Sequence, residues 1–253
     1  MAAERLSDRG FMPTWVRHEH LARYEFAAGY VAGKVVVDCA CGDGTGSAQY
    51  AKAGAAVVHA FDISAADVER AAQRHGTDAL RFLPADAGAL PFPSTTADLY
   101  ISLETIEHLN DDRAFLNEVV RVLKPDGLFI CSTPNRNITN PGHSISEPPW
   151  NPFHVREYDG KEFLTLLSQT FDRVSCFGQN PQGRLSAGGF GLLGRVLPWH
   201  GAVRLRQLTK LPRLLYDRLA HHRVKSADWL TECWEYHVAV CEGPKRAILS
   251  NAS

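Results

Sequence analysis

Residues 36 to 47 read Val-Val-Asp-Cys-Ala-Cys-Gly-Asp-Gly-Thr-Gly-Ser, a hydrophobic run that breaks into alternating glycines with Asp38 and Asp43 flanking the turn. Glycines at a strand-to-helix turn let backbone N–H groups approach a ligand closely. A diphosphate would sit on the N-terminus of the following helix, but two carboxylates would repel it. The turn therefore suits a ligand that carries positive charge. Asp62, in Ala-Phe-Asp-Ile-Ser, stands one strand–helix–strand unit later. A carboxylate there can accept both hydroxyls of a ribose, or Asp62 or Ser64 can cap the next helix. Asp86, in Pro-Ala-Asp-Ala, stands where an adenine amino group needs an acceptor, or forms a turn.

S-adenosylmethionine meets these requirements: it has a ribose and an adenine, an ammonium and a sulfonium, and no phosphate. A nicotinamide dinucleotide is the alternative, since it too places an acid on its ribose. Against it, Ser47 occupies the position where the dinucleotide fingerprint has its third glycine or alanine.

The elements that must carry these residues alternate. Pro13 to Val31 is helical, with Trp15, Val16, Leu21, Tyr24, Phe26 and Ala27 mostly three to five apart. Strands are expected at 34–39, 56–61, 80–84, 98–103 and 128–132, with helices from the glycine turn to Lys52, at 65–73 and at 112–123. The last of these helices stops at Lys124-Pro125-Asp126-Gly127. This alternation predicts an α/β fold, a doubly wound and mainly parallel Rossmann-like sheet. A loop rich in Pro, Asn and His runs from 133 to 158, and Asp159 caps a helix to Gln169. Two further strands are expected at 173–178 and 236–241, separated by a glycine-rich stretch (183–194) and a basic helical stretch near 202–224. The first dozen residues read as loose. The whole, 1–253, reads as one domain with a helical insertion at 180–234 that covers the site or forms a homodimer contact.

At 253 residues and 45% hydrophobic, the chain can bury a full core. A net charge of −1 argues against nucleic acid as the main partner. In the basic stretch, leucines interleave with arginines at helical spacing, so a solvated face explains the charge. Cys39, Cys131, Cys176 and Cys241 lie in apolar runs, as reduced buried thiols do, which predicts a cytoplasmic protein. No signal-peptide pattern or 18-residue apolar stretch is present, so no membrane role is expected.

Taken together, the chain resembles class I S-adenosylmethionine-dependent methyltransferases of the type 11 group, which act on sugars and natural products. The matching segments are Asp38-Cys39-Ala40-Cys41-Gly42-Asp43-Gly44, Phe61-Asp62-Ile63-Ser64, Asp86 with Leu90-Pro91-Phe92, Glu104-Thr105-Ile106-Glu107-His108-Leu109 and Leu123-Lys124-Pro125-Asp126-Gly127. Ala40 stands where the family has its first glycine. The likeness covers roughly residues 14–180 and the final strand. It implies a seven-stranded sheet whose last strand is antiparallel, and cofactor contacts from Asp38, Ala40, Gly42, Asp43, Gly44, Asp62, Ile63, Asp86, Ala87 and Leu103. It also implies that residues 13–32 form a lid helix, where Arg23 pairs with the methionine carboxylate and Tyr24 covers the sulfonium; the other reading is a helix packed on the sheet edge.

His108, after the fourth strand, matches a base or orienting group in similar O-methyltransferases, and His154 in the 133–158 substrate loop is a second candidate. An imidazole titrates near pH ~6.5 and can take a hydroxyl proton. Trp150, Phe153, His143 and Glu147 suit a polar ring such as a sugar or aminosugar. His143, Glu147 and His154 could ligate a metal, although none is expected. The rival functions are an RNA methyltransferase and an inactive cofactor-binding partner subunit.

Overall fold

The computed structural model describes residues 14–181, 223–230 and 233–246. The expected loose start, the glycine-rich stretch and nearly all of the basic stretch lie outside them. Helix α1 (Thr14–Ala28) precedes β1 (Val35–Cys39), α2 (Thr45–Lys52), β2 (Val57–Asp62), α3 (Ala65–His75), β3 (Leu80–Pro84) and β4 (Ala97–Leu103). A 3-10 turn (Ile106–His108) leads to α4 (Asp112–Val122), β5 (Leu123–Pro134), the single turn α5 (Arg136–Thr139), α6 (Gly160–Thr170), β6 (Phe171–Pro181), β7 (Lys225–Ser226) and β8 (Trp234–Pro244).

The strands form one sheet in the order β3-β2-β1-β4-β5-β8-β6-β7. Strands β1 to β5 are mutually parallel, whereas β8 runs antiparallel to both β5 and β6. The antiparallel last strand is as the resemblance implies. The eighth strand is not: β7 is two exposed polar residues pairing with Phe177 and Gly178, too short for any periodicity to mark.

Strand pleat divides the core. Successive residues point to opposite faces, so Val36, Leu99, Ile101 and Ile130 join a layer with Ala27, Val31 and Tyr50. Their neighbours Val37, Tyr100, Phe129 and Cys131 join the other layer with Phe115, Phe163 and Phe171. Each central strand is buried on both faces, which is why its sequence reads as a continuous apolar run. All six cysteines are free thiols, and Cys39, Cys41, Cys131 and Cys241 are buried.

One detail departs from expectation. Helix α4 ends at Val122, but Leu123 already pairs with Ala97; the sheet register then skips to Leu99 opposite Leu128, so Lys124–Gly127 bulges within β5 rather than forming a free turn. Helix α1, read from the sequence as a lid or as a helix packed on the sheet edge, is anchored to the sheet. Its buried Glu19 accepts from Asn180 Nδ2 (2.6 Å) and Tyr236 OH (3.1 Å), while Gln179 Nε2 donates to the Glu19 carbonyl (2.9 Å). Phe26 packs against Phe177 with ring centroids 4.8 Å apart. These contacts dock α1 on β6 and β8. Among the described residues, no helix is long and apolar enough to cross a membrane.

Candidate active site

The carboxyl ends of β1, β2 and β4 converge on the glycine turn. Gly42 and Gly44 adopt φ of 55° and 77°, the left-handed region that glycine enters without penalty. A Cβ on Gly44 would lie 2.8 Å from the Phe82 ring, so this position excludes any side chain. Ala40 also sits at φ 63°, where its methyl costs about 1–2 kcal/mol relative to a right-handed conformation; the departure from the family's glycine is thus strained. Asp62 holds the turn in place. Its Oδ2 accepts from Gly42 N and its Oδ1 from Ser64 N, both at 2.9 Å. Each oxygen keeps a second lone pair for a ribose hydroxyl. Ser64, rather than Asp62, caps α3 by accepting from Asp67 N.

Asp38 is 6% exposed and accepts from Ser47 Oγ at 2.5 Å. Burial pushes its carboxyl up to about 7; the Ser47 hydroxyl opposes the shift and the nearby Asp62 adds to it. No cationic side chain pairs with Asp38 among the described residues. Asp43 instead turns toward the helix, accepting from Thr45 N at 3.0 Å. Just beyond Asp62, Ile63 is 67% exposed. Asp86 is exposed and accepts from Gly88 N (2.8 Å), and Ala87 packs against the core. Asp86 therefore forms the turn that the sequence allowed, at the same sheet edge as Asp62, whose carbonyl accepts from Ala85 N. Leu103 closes β4, half-buried.

Helix α1 brings Arg23 and Tyr24 to this edge. The Arg23 guanidinium is buried over the Tyr236 ring, 4.5 Å from its centroid, and pairs with Glu104 at 3.9 Å and with Gln179. Burial works against its charge, but Glu104, Tyr236 and Glu19 outweigh it and raise the pKa. Its Nε is buried without a partner. Tyr24 lies against the start of α2, where a Cβ on Gly46 would meet its ring at 3.0 Å. The donor set fits S-adenosylmethionine: an unpaired buried acid for an ammonium, an orphaned guanidinium N–H for a carboxylate, a Cβ-free cradle, and Asp62 for a ribose.

Beyond Glu104, the 3-10 turn presents Glu107 and His108. The 151–158 loop folds back onto it, with Val155 N (2.7 Å) and Arg156 N (3.3 Å) both donating to the Glu107 carbonyl. Arg156 and Tyr158 OH both bind Asp112 Oδ2, pinning the loop to the start of α4. His108 and His154 thereby meet edge to face, ring centroids 4.8 Å apart. His154 Nδ1 lies 2.5 Å from Glu157 Oε1 and Nε2 lies 2.9 Å from Asn151 Nδ2. Burial would lower the His154 pKa, but Glu157 and Glu107 raise it overall. Burial lowers that of His108. Glu107, 1% exposed, is pushed well above the usual carboxylate range by burial and by Glu104, with His154 opposing. Thr133 Oγ1 donates to its Oε2 at 3.0 Å, and its Oε1 has no partner.

Residues 37–131 match the family model of the type 11 methyltransferase domain. Over those residues the chain carries a type 11 methyltransferase domain. The chain is 35% identical, over 153 residues, to a Mycolicibacterium smegmatis protein named probable S-adenosylmethionine-dependent methyltransferase, covering 60% of this chain and 57% of that one. A ubiquinone biosynthesis O-methyltransferase from Cereibacter sphaeroides is 28% identical over 179 residues, 69% of each chain. The chain thus spans little more than half the length of the Mycolicibacterium relative. A Thermotoga maritima S-adenosylmethionine-dependent methyltransferase shares the fold with a TM-score of 0.61 at 14% identity, over 90% of this chain and 91% of that one.

The structure adds supports beneath the residues expected at both ends: Ser47 on Asp38, Glu104 on Arg23 and Glu157 on His154. For Glu157 a signal existed: the spacing His154-x-x-Glu157 puts a carboxylate beside a loop histidine. The pairing of Arg23 with Gln179 had no signal, since 156 residues separate them. Among the described residues, the cluster of possible ligands joins His154 to Glu107 and His108 rather than to His143 and Glu147; His143 Nε2 accepts from Trp150 Nε1, and Glu147 accepts from Ser144 N.

Proposed function

We propose that this chain transfers a methyl group from S-adenosylmethionine to a small polar acceptor, an oxygen nucleophile before a nitrogen one, with a sugar or aminosugar as the acceptor class to try first. The observation that carries the donor half is Asp38, a buried carboxylate that has no cation of its own and lines a turn of backbone amides. A buried charge without a partner is expensive, and a ligand ammonium offsets that expense. Bound there, S-adenosylmethionine supplies an electrophilic methyl on a sulfonium. Asp62 orients the ribose, Ile63 and Ala87 flank the adenine, and Arg23 receives the carboxylate. Tyr24, on the docked α1, shields the sulfur from water.

The acceptor half rests on His108 and His154. Positioning and water exclusion are worth up to roughly 7–11 kcal/mol in such a displacement, and an amine needs only to be neutral. A hydroxyl must also lose a proton. Glu157 beside His154 fixes the ring and makes it a stronger acceptor, which favours oxygen. Glu104 acts on Arg23 and on Glu107, His108 and His154, joining the two ends.

Calorimetry with S-adenosylhomocysteine beside NAD tests the donor half: heat with the first supports the reading, and heat with NAD alone ends it. A mass-spectrometric screen for methyl gain on sugars, aminosugars, phenols and RNA tests the acceptor half. Methylated RNA without a small-molecule product would refute it.

A further inference from the structure

We propose that Glu107, His108 and His154 bind one divalent first-row transition cation at the acceptor end of this pocket. The inference rests on the reading of that end given above and deepens it: the two imidazoles serve there as ligands, and the cation, rather than a ring nitrogen, receives the acceptor's oxygen. One ligand atom from each of the three residues lies within 4.8 Å of the other two. Around a cation with ligand bonds of about 2.0–2.1 Å, tetrahedral donors stand about 3.4 Å apart. Small side-chain rotations therefore close the set.

The surroundings of each ligand carry the inference further than proximity. A metal-binding histidine donates its other ring N–H to a carboxylate or carbonyl, which fixes the tautomer. Both rings have such a partner: His108 Nδ1 faces the Phe153 carbonyl at 2.9 Å, and His154 Nδ1 faces Glu157 at 2.5 Å. Each leaves Nε2 as the ligand atom. At His154 a cation would displace the Asn151 amide that now lies 2.9 Å from Nε2. Glu157 is itself held by Thr139 Oγ1 and Asn140 Nδ2.

Glu107 supplies the independent observation. It is 1% exposed, Thr133 fixes its Oε2, and its Oε1 is buried with no hydrogen bond at all. A polar knot of two edge-to-face imidazoles and a carboxylate explains the ring contact but leaves that oxygen unsatisfied, at a cost of about 1–3 kcal/mol. A cation satisfies it. Two imidazoles and one carboxylate suit zinc, iron, cobalt or nickel rather than magnesium or calcium. Three protein ligands also leave coordination positions for a substrate oxygen, so the acceptor class narrows to molecules that present a hydroxyl or anionic oxygen.

The test uses the full chain after chelator treatment, titrated with Co2+ while its visible absorption is followed, and with Zn2+ and Mg2+ by calorimetry. One Co2+ and one Zn2+ per chain are expected, with Mg2+ much weaker. Glu107→Gln and His154→Ala should each weaken Co2+ binding by at least about 100-fold, and Glu157→Gln by about 10–100-fold. S-adenosylhomocysteine binding, kept in each variant, shows that it is folded; Glu107→Gln preserves shape if the alanine variant does not fold. No Co2+ binding by the folded chain, or binding unchanged in Glu107→Gln, overturns the cation site. If S-adenosylhomocysteine still binds in that case, the methyl-donor reading survives. Loss of that binding with Co2+ binding intact overturns the donor reading alone.

Discussion

Asp38 makes donor binding depend on pH in a way that a water-exposed acid would not. Its folded value of about 7 stands above an ordinary carboxyl near 3.8. The folded chain therefore holds this proton more tightly than the unfolded chain does. The resulting stability is fully present below about pH 4 and is lost as pH rises through 7. Three units at about 1.4 kcal/mol each put the cost of the ionised form near 4 kcal/mol in the ligand-free protein. An ammonium ligand prefers the ionised form, so binding must release the proton wherever Asp38 is protonated. Between pH 8 and pH 6 the ionised fraction falls about tenfold, and S-adenosylhomocysteine affinity should fall with it. Asp38→Asn removes both effects. It should raise ligand-free stability at pH 8 by a few kcal/mol, read at about 2–4 °C per kcal/mol in thermal melts. It should also weaken ligand binding and flatten its dependence on pH. Calorimetry in two buffers of different ionisation heat measures the proton release directly. Affinity that is flat from pH 6 to 8 in the natural protein, or an Asn variant no more stable than the parent, would refute the reasoning.

Gly44→Ala must place a methyl 2.8 Å from the Phe82 ring at φ 77°, so it should cost about 2–4 kcal/mol in denaturant melts and abolish S-adenosylhomocysteine binding. Ala40→Gly relieves a left-handed alanine, and even after the entropy of glycine in the unfolded chain it should raise stability by up to about 1 kcal/mol, visible as a higher melting temperature. Asp62→Ala should weaken S-adenosylhomocysteine binding by at least about tenfold in calorimetry, because it removes the ribose acceptor and the brace on Gly42 together. Glu157→Gln should slow turnover by about 10–100-fold with donor affinity kept, since it loosens His154 without touching the donor end; equal loss of donor affinity would mark Glu157 as a structural prop.

Much of the fold was legible because its elements obey local rules. The strands around the site are buried on both faces and carry apolar runs, and helices α3, α4 and α6 begin at Ser64, Asp111 and Asp159, each accepting a backbone N–H from the helix it caps. The donor end was legible for a related reason: Asp38, the glycines and Asp62 take their roles from the ends of adjacent parallel strands, so spacing along the chain maps onto position in space. Strand β7 was not, because two polar residues carry no period and exist as a strand only through Phe177 and Gly178.

Other features belonged to the three-dimensional arrangement alone. The sequence determined that an acidic glycine turn, Asp62 and two histidines follow the strands of an α/β sheet. Only the tertiary structure decided that α1 is docked by Glu19 and Arg23 on β6 and β8, more than 150 residues away. It alone decided that His108 and His154 meet, with Glu107 buried beside them. The reason is physical: periodicity and capping act over a few residues, whereas the pairing of buried charges depends on which distant segments the sheet brings within hydrogen-bonding distance.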